Sequence, residues 1–143
     1  MIRALMEESL VLLKPDCLES RKCGEVLKRF EEAGFAVFGV KMMRLSDEIL
    51  REHYAHLTEL PFFPEIQGFM QSSPVVAIAL RGENGIARIR EMVGPTDSTV
   101  AEKGTLRGDF GQDKIKNVVP ASDSVENGQA ELKRFFGEGE LFG

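Results

Sequence analysis

The chain has little with which to build a membrane span, a metal centre or a disulfide scaffold. Its longest apolar run, Val75–Leu80, is about six residues, against the roughly twenty that a spanning helix needs. Met1–Glu8 holds one cation and no sustained apolar region, so it is not expected to be a secretory signal. Cysteine occurs only at Cys17 and Cys23, with neither CxxC spacing nor an adjacent histidine. A zinc site or a disulfide framework is not expected, and reduced thiols in a cytoplasmic protein are. The two histidines, His53 and His56, lie outside any HExxH arrangement. A Walker GxxxxGK[ST] loop and a GxGxxG turn are both missing.

What is present is an ordinary globular composition, 43% hydrophobic and 29% charged, with a net charge of −5 over 143 residues. That length fits one domain and buries about two-thirds of the surface its unfolded form exposes. The negative balance repels nucleic acid and anionic lipid, and neither is expected as a partner. A bound anion has to be gripped by a local cluster of cations and N–H groups.

Leu10–Leu13 reads as a buried strand ending in a turn at Lys14-Pro15-Asp16. Val26, Leu27, Phe30 and Ala33 recur at helical spacing, and Gly34 is placed to end that helix. Phe35–Met43 reads as a second strand. Ser46 caps a helix carrying Ile49, Leu50, His53, Tyr54 and Leu57 on one face, which Pro61 stops. Pro64 opens a short helix, and Val75–Leu80 is a third strand. A turn at Gly82–Gly85 precedes a helix with Ile86, Ile89 and Val93 on one side. Val118-Val119 is a minimal fourth strand, and Ser122-Asp123-Ser124 caps a last helix. Between Gly94 and Lys116 no period is sustained, which marks a long functional loop. This order predicts an α/β (α+β) fold of the ferredoxin-like split βαβ kind, a small four-stranded antiparallel sheet with helices packed on it. A doubly wound parallel sheet is the competing class, for which four strands are few.

Cations and small polar residues gather at the ends of these elements. Lys14 ends the first strand, Arg90 precedes Gly94-Pro95-Thr96, Arg107 lies within Gly104–Asp109, and Asn117 enters the last strand. Each alone reads as a solvated cation or a turn residue. Together with the long loop they describe a polyphosphate site. Glu126, Glu131, Glu138 and Glu140 are spread along a helix and tail, which reads as a solvated face rather than a metal cluster.

Six blocks then stand in register: Lys14-Pro15-Asp16, Glu52-His53-Tyr54, Pro61-Phe62-Phe63, Gly94-Pro95-Thr96-Asp97-Ser98, Gly104-Thr105-Leu106-Arg107-Gly108-Asp109-Phe110 and Asn117-Val118-Val119-Pro120-Ala121-Ser122-Asp123-Ser124. From about Ser9 to Phe136 the chain closely resembles the nucleoside diphosphate kinase family. The expected division is an N-terminal extension at 1–8, the kinase-like domain at 9–137 and a tail at 138–143.

The resemblance implies transfer of the γ-phosphate of a nucleoside triphosphate, usually ATP, to a nucleoside diphosphate through a phosphohistidine. It also implies Mg²⁺ bridging the phosphates, with no metal ligand from the protein, and a cytoplasmic tetramer or hexamer of identical chains. On matching positions, Lys14 would contact phosphates and sugar, Tyr54 would pack near the transfer centre, and Phe62 would stack on the base. Arg90, Thr96 and Arg107 would hold the phosphates, Asn117 the sugar or a phosphate, and Ser122 and Glu131 would orient the nucleophile.

The family's acceptor histidine belongs where this chain has Pro120. An imidazole offers a lone pair able to attack phosphorus. Proline offers only an amide nitrogen whose lone pair is delocalised into the carbonyl. It cannot carry a phosphoryl group in that way. His53 and His56 are the imidazoles that remain, and His53 reads as a packed structural residue. The expectation is a fold and a nucleotide grip that survive with little turnover; the alternative is a protein of this fold that binds nucleotide or a partner without catalysis.

Overall fold

A computed structural model describes residues 6–143. In chain order it contains β1 (Met6–Leu13), α1 (Pro15–Glu19), α2 (Cys23–Glu32), β2 (Ala36–Met43), α3 (Asp47–His53), α4 (Phe63–Met70), β3 (Val75–Glu83), α5 (Gly85–Val93), α6 (Leu106–Phe110) and α7 (Val125–Phe135). Single 3₁₀ turns lie at Ala55–Leu57 and Ser98–Val100. Of the expected N-terminal extension, residues 1–5 lie outside the described residues, and Met6–Glu8 belong to β1.

Successive side chains of a strand point to opposite faces, and here both faces are covered. Leu10, Leu12, Val75, Ala77 and Ala79 pack with Leu50, Phe63, Met70, Leu132 and Phe135 of α3, α4 and α7. Val11, Leu13, Ile78 and Leu80 pack the other way, with Val26 and Phe30 of α2 and Ile89 and Val93 of α5. That double burial is why these strands read as unbroken apolar runs. β3 is central and antiparallel to both neighbours, in the order β1-β3-β2. This is the split βαβ arrangement.

The caps read from the sequence are in place. The Ser46 hydroxyl accepts from the Ile49 N–H at 3.1 Å, and the Ser124 hydroxyl from the Asn127 N–H at 3.1 Å. Gly34 stands at φ +94° just past α2, a left-handed position that suits glycine.

Four local readings change. Among the described residues the sheet has three strands, not four: Val118 stands at φ +61°, and residues 117–121 make only one bridge to the sheet, Val11 to Ala121. The two buried valines mimic a strand because they are apolar, but the backbone there turns instead of extending. Lys14-Pro15-Asp16 is no simple turn, since proline at its start opens the short helix α1. The helix after Ser46 ends at His53, ahead of Pro61. β3 runs on through Gly82, which pairs with Glu7, so the reversal is confined to Asn84 at φ +49°.

Candidate functional site

The loop after α5 is organised by buried polar bonds. Lys14 Nζ, at the end of β1, donates to the Ile115 carbonyl and to Asn117 Oδ1 at 2.8 Å. Asn117 Nδ2 donates to the carbonyls of Thr96 at 2.9 Å and Lys114 at 3.0 Å. Arg107 donates from Nε to the Asn117 carbonyl at 3.3 Å and from Nη1 to the Gly94 carbonyl at 3.1 Å. Gly94 stands at φ +91°, and a Cβ there would lie 3.0 Å from Thr105. Residues far apart in sequence are thereby tied into one wall.

The segment leading to Pro120 is held under strain. Val118 is a β-branched residue in the left-handed region, a conformation that costs of order 1–3 kcal/mol. Three bonds fix it. Asp16 Oδ2 accepts from the Val118 N–H at 3.0 Å, the Lys14 N–H donates to the Val118 carbonyl at 2.8 Å, and the Val119 N–H donates to the Asn117 carbonyl at 2.7 Å. Burial raises the Asp16 carboxyl above its ordinary value, with the Val118 N–H and Lys14 opposing.

Pro120 comes off this turn into a cleft. One cavity, about 240 Å³, is lined by Arg90, Thr96, Arg107, Pro120 and neighbouring loop residues. A larger one, about 660 Å³, takes in Tyr54, Arg90, Thr96, Pro120, Glu131 and Arg134, with both histidines at its wall. A third, of only about 20 Å³, lies between Leu10, Leu12, His53, Pro120, Ala121 and Glu131. Pro120 and Ala121 are common to all three.

The cleft's electrostatics favour an anion. Arg90, Arg107 and Lys14 form no salt bridge among the described residues. Burial pushes the Arg107 guanidinium down to about 10, and the Arg90 charge adds to that. Burial likewise pushes the Lys14 ammonium down to about 8, with Arg107 adding and Asp16 opposing. Burial raises the Tyr54 phenol well above its usual range. Arg90 and Arg107 thus stand near each other with no salt-bridged carboxylate, while Lys14 is partly offset by Asp16.

On the far side of Pro120, Glu131 Oε1 is buried without a hydrogen-bond partner. Burial raises that carboxyl, and the Ser122 hydroxyl and Arg134 pull against the rise. Ser122 itself is buried, its hydroxyl accepting from the Leu10 N–H at 3.2 Å. Phe62, 46% exposed, stands at the start of α4 and lines none of the three cavities. The structure thus brings Arg90, Thr96, Arg107, Tyr54 and Glu131 to the cavities at Pro120, places Lys14, Asn117 and Ser122 buried behind them and lining none of the three, and leaves Phe62 outside all three as well.

His53 is held as a packed group. Arg134 Nη1 donates to His53 Nδ1 at 3.0 Å, and the ring makes edge contacts at 5.0 Å with Tyr54 and Phe135. A guanidinium can only donate, so Nδ1 spends its lone pair there and the neutral ring keeps its proton on Nε2. Neither nitrogen is left with a free lone pair. Burial, Arg134 and His56 together push this imidazole from 6.5 down to about 4. The unfolded chain therefore binds a proton between pH 6.5 and 4 that the native chain does not, and stability falls as pH drops through that window. A His53→Gln chain is expected to lose less melting temperature between pH 7 and pH 4.5 than the parent; equal losses would contradict the assignment.

Sequence reasoning passed over two contributors. Asp16 lies inside a quoted block, but its bond to Val118 spans the fold and has no local signal. Arg134 follows Glu131 by one helical turn on α7, and that spacing was available as a sign that the two share a face.

Comparisons with known proteins bear on this cleft. Residues 7–141 match the family model described as "Nucleoside diphosphate kinase". A nucleoside diphosphate kinase of Rhodopirellula baltica is 44% identical over 100 residues, 70% of this chain and 66% of that protein. One from Rubrobacter xylanophilus is 45% identical over 100 residues, 70% of this chain and 75% of that protein. The crystal structure of the Aquifex aeolicus nucleoside diphosphate kinase superposes with a TM-score of 0.91 at 43% identity, covering 96% of this chain and 99% of that one. The Halobacterium salinarum nucleoside diphosphate kinase in complex with CDP gives 0.93 at 33% identity, covering 97% and 93%. On this agreement of sequence and fold, the chain belongs to the nucleoside diphosphate kinase family.

Proposed function

We propose that this chain binds nucleoside di- and triphosphates in the cleft at Pro120 and transfers the γ-phosphate at a small fraction of the rate its family membership implies. The single observation that carries the first half is the group of Arg90, Arg107 and Lys14, none of them in a salt bridge among the described residues, with Arg107 and Lys14 largely buried and Arg90 open to solvent at the cleft. Such a group stabilises a polyphosphate strongly, because guanidinium forks match its oxygens and the site has already given up water. Arg90, Arg107 and Thr96 are assigned to the phosphates, Lys14 and Asn117 to phosphate or sugar, Tyr54 to the transfer centre, and Ser122 and Glu131 to orienting a nucleophile. Phe62 is assigned to stacking on a base on the strength of the family block alone, its ring being exposed but outside the three cavities.

The second half follows from Pro120. Pro120, which lines all three cavities together with Ala121, has no lone pair to give, and the carboxylate beyond it, Glu131, has an oxygen with nothing to bond. An imidazole N–H at position 120 would supply that partner. Its absence leaves the mechanism without an acceptor while the anion wall stands.

The donor set fits a metal that arrives with the substrate. Among the described residues no three His, Cys, Asp or Glu side chains converge, and Mg²⁺ readily takes phosphate oxygens and waters for most of its shell. Bound so, Mg²⁺ supplies charge neutralisation along the phosphates, and Arg90 and Arg107 hold the remaining oxygens. No described helix is long and apolar enough to cross a membrane. A cytoplasmic location belongs to the same reading and rests on the family alone. The open edge of β2, with Val40 53% and Met42 66% exposed, supports a homo-oligomer, read as a tetramer or hexamer.

The test is incubation with γ-labelled ATP and Mg²⁺, followed by counting acid-labile, alkali-stable label on the protein. The expected result is none above background; stoichiometric label would overturn the reading of Pro120.

A further inference from the structure

The corner between α1 and α2 lies outside the nucleotide cleft and carries both cysteines. It is a Schellman reversal. Arg21, at φ +60°, donates its N–H to the Leu18 carbonyl at 3.0 Å, and the Lys22 N–H donates to the Cys17 carbonyl at 3.1 Å. Lys22 is also the residue that precedes α2, so the reversal brings Cys23, the first residue of α2, back to Cys17 in α1. The two side chains meet in one apolar cluster with Val26 and Phe30. Cys17 is fully buried, whereas Cys23 is half-buried and reachable by a small solute.

The pair is electrically unequal. A hydrogen bond to Cys23, reinforced by burial, pushes the Cys17 thiol up, and the same bond pulls the Cys23 thiol below its ordinary value. Cys23 also stands at a helix N-terminus, where a thiolate is favoured. One reactive, accessible thiol beside one inert, enclosed thiol is the arrangement of an attacking and a resolving cysteine.

We propose that Cys17 and Cys23 form a dithiol redox site, converted by a hydroperoxide to an intramolecular disulfide with Cys23 attacking and Cys17 resolving. The Cys23 thiolate attacks a peroxide oxygen, the O–O bond breaks, and the departing hydroxide takes a proton to leave as water. Cys23 is then a sulfenic acid. The Cys17 sulfur attacks the Cys23 sulfur, an S–S bond forms, the S–O bond breaks, and the hydroxide released takes the Cys17 proton. In sum two thiols and one hydrogen peroxide give one disulfide and two waters, the sulfur pair losing two electrons and the peroxide gaining them. The bridge fastens α1, which holds the 117–119 turn through Asp16, to the start of α2.

The experiment treats the native chain with hydrogen peroxide, denatures it, alkylates it with iodoacetamide and measures intact mass. Alkylatable thiols are expected to fall from two to none and to return with dithiothreitol, in chains that run as monomers on a non-reducing denaturing gel. Cys17→Ser is expected to leave Cys23 as a sulfenic acid trapped by dimedone, and Cys23→Ser to leave Cys17 unreacted. Two thiols persisting in the treated parent would overturn the proposal. So would a bridge formed only between chains, or a Cys23→Ser chain oxidised as fast as the parent. Nucleotide binding plays no part in any of these readouts.

Discussion

A Pro120→His chain is expected to gain about 10⁶-fold in phosphoryl transfer over the chain as it stands, the order lost when the nucleophile of a covalent mechanism is removed. The gain depends on the surroundings being ready for an imidazole. Glu131 has a buried oxygen with no partner beside position 120, and Ser122 is fixed to the backbone of β1. The 117–119 turn that aims residue 120 into the cleft is anchored from Asp16 and Lys14, neither of which the substitution touches. Proline constrains φ near −65°, a value histidine also adopts, so the exchange asks little of the backbone. The measurement is the rate of ATP-dependent conversion of a nucleoside diphosphate, together with label on the introduced imidazole. A substituted chain that stays unlabelled, with a normal melting temperature, would mean that the cleft no longer presents phosphate to residue 120.

Arg107→Ala is expected to weaken nucleotide binding about 10²-fold, corresponding to the roughly 3 kcal/mol of a desolvated, charge-assisted contact. Arg107 has a second duty, because its N–H groups hold the carbonyls of Gly94 and Asn117. Arg107→Lys separates the two. It keeps the charge but loses the planar fork, and is expected to fall between parent and alanine in affinity. Calorimetric titration with ADP and Mg²⁺ checks both, with thermal melting to confirm folding. An alanine chain binding as tightly as the parent would remove Arg107 from the phosphate wall.

Much of the architecture is legible because its causes are local. The two-faced burial of β1 and β3 shows as unbroken apolar runs, and the caps at Ser46 and Ser124 show as polar residues ahead of amphipathic helices. The miscount of strands has a definite cause. Val118 and Val119 are β-branched and buried, and nothing within the sequence window shows that Asp16, about a hundred positions away, holds Val118 in a left-handed turn. The site divides in the same way. Lys14, Arg90, Thr96, Arg107 and Asn117 stand out as cations and turn residues at element ends, and the family blocks give them a shared purpose. The Glu131 orphan and the Arg134–His53 bond are not visible there, since they depend on how α7 packs beside α3 on one face of the sheet. Phe62 is legible only from its block, and the structure leaves it at a distance from the cavities.

The central claim is that the grip on the polyphosphate is independent of the residue that would accept the phosphoryl group. Side-by-side calorimetric titration of the parent and the Pro120→His chain with ADP and Mg²⁺ tests it most directly. Saturable one-to-one binding of both, with dissociation constants within about threefold (well under 1 kcal/mol), is the predicted result. A parent chain that shows no saturable binding while the histidine chain does would contradict it.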